Sequence, residues 1–224
     1  MSVLARAAGV LGELVLRRRE IDGHDAVELL SNGVLLMDTA DASTERELAT
    51  RALDAVGRGG LHMVVGGLGL GCTAAALLAD PRVARVTVVE IEEVLVGWAR
   101  DGLVPGGPDL LSDDRLAVVV GDVADVLPAL ARRLVDAVVL DVDNGPGFLV
   151  HPRNARVYSP ELLGAVAGTL RPGGCLVVWS ADRSAELATA LSGAVGACDE
   201  TLLTVHREGR ELEYALYSAC SPVV

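Results

Sequence analysis

The residues best suited to chemistry stand where apolar runs stop. In VVLDVDNGPG, 138–147, three apolar residues lead straight into Asp141, Val142, Asp143 and Asn144, and Gly145-Pro146 then breaks the chain. A carboxylate at the mouth of a buried strand, as Asp141 would be, can hold an ammonium or take a proton from an attacking amine. Asp143 and Asn144 have a second reading, as caps of the turn ahead of Gly145-Pro146. A metal would need more converging ligands than Asp141 and Asp143 supply, so no metal is expected.

Three further features have the same placement. Gly66, Gly67, Gly69 and Gly71, in GGLGLG, follow one apolar run and precede a helix-forming stretch, where glycines let the backbone approach a ligand. The alternative is a tight strand–helix turn. Glu90 closes VTVVE about 20 residues further on, where an acid can accept the hydroxyls of an adenine nucleoside's ribose. Asp122 closes VVVGD, where it can meet the adenine amino group, cap the following helix, or do both. Ile91 and Val123, the next residues, complete the candidate cofactor set.

These positions need a scaffold that brings strand ends together. From residue 61 the chain alternates strand and helix patterns: LHMVVGG, CTAAALLAD, VARVTVVEI, EEVLVGWARDGL, RLAVVVGD, VADVLPALARR, VDAVVLDVD, SPELLGAVAGTL and CLVVWSA. SAELATALSGAV and two strands joined by a short turn close the series. Such alternation predicts an α/β fold, a doubly wound Rossmann-like sheet of about seven strands whose last hairpin is antiparallel. The ligand crevice then lies at the strands' carboxyl ends. Residues 1–42 read as a short N-terminal β segment of two or three strands with an Asn-Gly turn at 32–33, and 43–224 as the nucleoside-binding domain. Ser43 is the expected cap of the helix STERELATRALDAV, and Ser159 of the helix that opens at Pro160. Trp98 and Trp179 are expected in the core, and His151 in a loop over the site.

Composition narrows the partners. A formal charge of -12 leaves no basic face for nucleic acid and is compatible with a cationic small molecule. The 51% apolar content, with only 3% aromatic, suits a Val/Leu/Ala core of buried parallel strands. Cys72, Cys175, Cys198 and Cys220 are scattered without a CxxC pair, so neither zinc nor a disulfide framework is expected, and a reducing cytoplasmic setting fits. No signal-peptide pattern and no membrane-length apolar run is expected.

The blocks MVVGGLGLGCTAAALLADPRVARVTVVEIEEVLVGWAR, DDRLAVVVGDVADVL and VDAVVLDVDNGPG, with LRPGGCLVVWS, resemble the spermidine synthases, or polyamine aminopropyltransferases. The resemblance runs over roughly residues 28–180 and implies the class I S-adenosylmethionine-dependent methyltransferase fold. It implies transfer of an aminopropyl group from decarboxylated S-adenosylmethionine to an amine, with Glu90 on the ribose, Asp122 on the adenine and Asp141 as base. It also implies substrate positions for Asn144 and Glu47, with Asp143 an extra acid that can substitute, and is compatible with a homodimer. Tyr158, read from the residues alone, either lines the substrate pocket or staples the helix that opens at Pro160. Asn144 and Gly145 stand where the family's D-S-x-D-P motif has its second acid and its proline. Gly69 stands for the Asp of GGGDGG, and Arg46-Glu47 for the last two residues of Tyr-His-Glu. Two other functions share this scaffold: methyl transfer from intact S-adenosylmethionine to a small molecule, and a non-catalytic nucleoside-binding homologue.

Overall fold

The computed structural model describes residues 1–223. Strands β1 (Ser2–Ala8), β2 (Glu13–Ile21), β3 (His24–Ser31) and β4 (Val34–Asp38) form an antiparallel meander in that order. Asp22-Gly23 and Asn32-Gly33 make the last two turns, all four residues at positive φ, as two-residue hairpin loops require. β1 adds a strand to the two or three expected. SVLARAA carries no clean alternation, and pairing with β2 is what makes it extended.

Helix α1 (Ser43–Asp54) leads into the larger sheet. Ser43 does not cap it: its own N–H donates to Asp41 Oδ1 at 2.7 Å, and the capping position is Ala42. The chain then runs through β5 (Leu61–Gly66), α2 (Cys72–Leu78), β6 (Val83–Glu90), α3 (Glu93–Arg100), α4 (Gly107–Leu111), β7 (Leu116–Val120), α5 (Val123–Ala129) and β8 (Val135–Leu140). A 3-10 helix (Pro152–Tyr158), α6 (Pro160–Thr169), β9 (Leu170–Ser180), α7 (Ala185–Ala194), β10 (Cys198–Arg207) and β11 (Arg210–Cys220) complete it. Ser159 caps α6, its Oγ accepting from the Leu162 N–H at 3.2 Å. Pro128 lies in α5, which stops at Ala129, short of the arginines expected to extend it.

The seven-stranded sheet has the order β10-β11-β9-β8-β5-β6-β7. β5 to β9 are parallel, and β11 runs antiparallel to both β9 and β10. Strand order reverses between β5 and β8, so the helices following these strands diverge and leave a crevice at the strand ends. Side chains alternate across the sheet: Met63 and Val65 enter one core, Val64 and Leu140 the other. The first core also contains Leu14, Leu16, Val27 and Leu29, so the N-terminal sheet is continuous with it.

Polar contacts fasten the two sheets at buried points. Glu28, 1% exposed, takes Arg17 at 2.5 Å and Arg19 at 3.0 Å from its neighbouring strand, and Arg207 from β10 at 3.8 Å. Arg207 also pairs with Asp38, at the end of β4. Cys175 and Cys220, register partners on β9 and β11, form a disulfide, contrary to the expectation from spacing. Residues 45 apart in sequence become neighbours only through strand pairing. Among the described residues no helix is long and apolar enough to cross a membrane.

Asp136, fully buried at the start of β8, joins three segments. It accepts from the His62 N–H at 2.7 Å and from Arg171 at 2.9 Å, and pairs with Arg58. Its replacement strands a backbone donor and two guanidinium groups together. Asp136→Ala is expected to lower the unfolding free energy by about 3 kcal/mol, read from urea denaturation.

Candidate active site

The GGLGLG turn crosses from β5 to α2 over the crevice. Gly67, at φ 92°, donates its N–H to Val89 O at 2.8 Å. A Cβ at Gly67 would lie 2.3 Å from the Asp141 carbonyl, so the loop rests directly on the end of β8. Gly69 faces Met37 of β4, whose sulfur would be 2.5 Å from an added Cβ. Gly67 and Gly69 line the cavity here; Gly66, packed on Val123 and Leu140, and Gly71, which precedes α2, shape the turn from outside it.

Glu90 sits beneath this loop, 6% exposed. Its carboxylate accepts from the Leu68 N–H at 2.7 Å and the Glu92 N–H at 2.8 Å, while burial pushes its pKa above the ordinary glutamate value. Glu92 in turn accepts from the Val10 and Leu11 N–H groups at 2.7 and 2.9 Å, holding the β1–β2 turn over the crevice. Asp122 caps α5, accepting from the Ala124 N–H at 2.8 Å, and its other oxygen meets Arg153 at 3.0 Å. Ile91 and Val123 line the same cavity.

At the far end is Asp141. Its N–H donates to Gly66 O at 3.0 Å, continuing the β5–β8 pairing by one residue, and the Thr73 hydroxyl donates to its carboxylate at 2.6 Å. Loss of water raises its pKa, and the Thr73 bond pulls the other way. Asp143 also lines the cavity, but its carboxylate serves the loop, accepting from Asn144 N–H, Val150 N–H and Asn154 Nδ2 at 2.7, 2.8 and 2.6 Å. With φ at 63°, Asp143 shapes a turn, the structural reading of this stretch.

Three expected substrate contacts are redistributed. Asn144 lines a second, adjoining cavity. Tyr158 is buried, donates its hydroxyl to Val142 O at 2.6 Å, and lines neither cavity. Glu47 lies on the outer side of α1, paired with Arg51 at 2.8 Å, and also lines neither. The α1 residue that enters the site is Glu45, which lines both cavities. The signal for it was present in the helix: Glu45, Leu48, Ala49 and Ala52 fall on one buried stripe, and Glu45 is an acid on an apolar face.

Glu45 accepts from the Thr44 hydroxyl at 2.7 Å. Burial, then the charge of Asp141, lift its pKa from 4.5 to about 7. Trp98 is in the core as expected, whereas Trp179 lines both cavities. The Trp179 Nε1–H is buried without a partner among the described residues, and its ring lies 5.2 Å from Tyr214. His151 lines the first cavity and caps the 3-10 helix through Nδ1, so it acts in its loop. Among the described residues no group of three His, Cys, Asp or Glu side chains could hold a metal ion.

No family model matches the chain. Polyamine aminopropyltransferase 2 of Hyperthermus butylicus is 36% identical over 119 residues, covering 51% of this chain and 36% of that protein. Putrescine N-methyltransferase 3 of Nicotiana tabacum is 31% identical over 114 residues, covering 50% of this chain and 28% of that protein. The matched segments thus span about a third of the length of these curated relatives. In three dimensions, a spermidine synthase in complex with the transition-state analogue AdoDATO superposes with a TM-score of 0.83 at 14% identity, over 100% of this chain and 75% of the other.

Two outcomes follow from the geometry. Gly67→Ala forces a methyl group into the Asp141 carbonyl at a positive φ and is expected to lower the unfolding free energy by about 1–3 kcal/mol, read from urea denaturation. For Glu45, the folded state binds a proton more tightly than the unfolded chain between pH 4.5 and about 7, so stability falls as pH rises through that window. Glu45→Gln is therefore expected to be more stable than the wild type by roughly 3 kcal/mol above pH 7, with the gain vanishing below about pH 4.5. Thermal melts across pH would show it.

Proposed function

From its kinship with the polyamine aminopropyltransferases in sequence and with spermidine synthase in fold, we propose that this chain is a transferase that alkylates an amine from a sulfonium nucleoside. The favoured donor is decarboxylated S-adenosylmethionine, and the group moved is its aminopropyl chain. The observation that carries this reading is one cavity with Glu90 and Asp122 at one end and Asp141 and Glu45 at the other. Glu90 has lone-pair capacity left for ribose hydroxyls beyond its bonds to the Leu68, Glu92 and Gly69 N–H groups. Ile91 and Val123 offer apolar walls to an adenine ring, and Asp122 an acceptor for its amino group. The crevice lies over the carboxyl ends of parallel strands where their order reverses, the place where doubly wound sheets hold their ligands.

The chemistry is a direct displacement. The amine lone pair forms a bond to the carbon beside the sulfonium, and the carbon–sulfur pair returns to sulfur, leaving a neutral thioether nucleoside. Two reactants held in line in one cavity gain several kcal/mol, roughly 7–11 in well-oriented cases, from orientation alone. The acceptor must be uncharged at nitrogen when it attacks, which assigns proton management to the carboxylates at the far end.

Methyl transfer from intact S-adenosylmethionine is the second reading. It is favoured by Gly69, where the resemblance implies a carboxylate for the donor's amine and where Met37 sulfur stands instead. The putrescine N-methyltransferase relatives point the same way.

Incubation with each donor and a panel of linear diamines, followed by chromatography, separates these. Methylthioadenosine formed from the decarboxylated donor is the expected result, and S-adenosylhomocysteine from the intact donor identifies methylation. No thioether nucleoside from either donor with any diamine overturns the transferase reading. Asp141→Asn is expected to lower kcat at least about 100-fold in whichever reaction is observed.

A further inference from the structure

Resting on the amine-transfer reading, we propose that Glu45 is a second catalytic carboxylate: at the junction of the two cavities it grips the incoming ammonium with Asp141 and takes the proton that must leave before nitrogen attacks. The resemblance to spermidine synthases implies no such role, since it draws on Glu47, which lies outside both cavities.

A carboxylate on the buried face of a helix is costly unless something compensates its charge. Glu45 is 8% exposed, on a stripe that otherwise enters the hydrophobic core. Its carboxylate receives the Thr44 hydroxyl and its own N–H, and Asp141 receives the Thr73 hydroxyl. Among the described residues neither carboxylate has a salt bridge. Most groups acting on this pocket from the surrounding elements are themselves acidic or neutral. Asp41 precedes α1, Asp38 ends β4, Cys72 begins α2 and Tyr214 lies on β11. The two cations in range are Arg46 on α1, which bears on Cys72, and Arg207, which is engaged by Asp38 and Glu28. Two carboxylates that line one cavity without a cation of their own are matched by one that arrives with the substrate.

The cavities indicate the direction of arrival. Leu36, Met37, Glu45 and Trp179 line both, so a ligand extending from the second cavity towards Asp141 passes Glu45. The second cavity is bordered by Asp22, Asp25 and Asp41 as well as by His24, His206 and Arg207. Since Arg207 is engaged by Asp38 and Glu28, the acids there suit a diamine with one ammonium remaining. At Glu45 the proximal ammonium gives its proton to the carboxylate, producing a carboxylic acid and a neutral amine. The nitrogen then forms its bond to the sulfonium carbon as the carbon–sulfur bond breaks. The secondary ammonium product keeps its charge, and the proton on Glu45 returns to solvent.

The test is calorimetry with 1,4-diaminobutane in the presence of methylthioadenosine, in two buffers of different ionisation enthalpy, alongside the transfer assay. The wild type is expected to release protons on binding the diamine near pH 7. Glu45→Gln is expected to bind it at least about ten-fold more weakly, without that release, and to keep methylthioadenosine affinity within about two-fold. Glu45→Asp, which retains the charge, is expected to restore proton release, and the rising limb of the pH–rate profile near 7 is expected to disappear in Glu45→Gln. Unchanged diamine affinity and proton release in Glu45→Gln, or no diamine binding by the wild type, overturns the role of Glu45. Glu45-dependent diamine binding with no thioether nucleoside from either donor upholds Glu45 as the amine-binding residue and overturns the transfer reading instead.

Discussion

The Asp141 N–H to Gly66 carbonyl hydrogen bond, 3.0 Å long, is the contact on which the site depends. It carries the parallel pairing of β5 with β8 one residue past the strand, at the point where strand order reverses. It therefore sets the distance between the glycine turn and the acid at the end of β8. The next residue must then be a glycine, since Gly67 presses against the Asp141 carbonyl with no space for a side chain. Glu90 completes the arrangement from the other side, accepting from the turn at Leu68 and from the start of the α3 segment at Glu92. Two strand ends are thus joined by a backbone hydrogen bond and the third by a buried carboxylate that backbone N–H groups hold in place, which is how a site keeps its geometry.

The N-terminal sheet supplies one wall of this crevice, through Leu14, Leu29, Leu36 and Met37. It shares the first hydrophobic core through Leu14, Leu16, Val27 and Leu29, and its turn is held by Glu92. Arg207 binds it from the opposite side through Glu28 and Asp38. Burial against this wall removes water from the carboxylates, and that raises the cost of their charge. The raised pKa values of Glu90, Asp141 and Glu45 share this first cause. Such strain is tolerated where it is useful to binding or proton transfer, and the larger core supplies the stability it removes.

Acids in one short segment have different employment. Asp141 faces the cavity with a single hydroxyl partner, whereas Asp143, two residues on, gives its carboxylate to Asn144, Val150 and Asn154. Asp122 combines a helix cap with an ion pair to Arg153. Counting carboxylates near a motif thus overstates how many are free to meet a ligand. What separates them is whether local backbone donors have already claimed their lone pairs.

Local rules sufficed for the alternating strands and helices, the antiparallel closing hairpin, the Asn-Gly turn and the Ser159 cap, because period, turn chemistry and capping act over a few residues. They also sufficed to bring Gly67, Glu90, Asp122 and Asp141 to one edge, since parallel strands end on the same side. Glu45 was legible in principle as an acid on an apolar stripe, yet which acid of α1 enters the site depends on what the helix is laid against. The Cys175–Cys220 bond, the capture of Asp143 by its own loop, the retreat of Glu47 and Tyr158, and the exposure of Trp179 to both cavities were decided by the tertiary structure. Each depends on groups distant in the chain, or on the path of an irregular loop. Sequence period therefore determines which face of an element is buried, and only the assembled fold determines which polar group there is left without a partner.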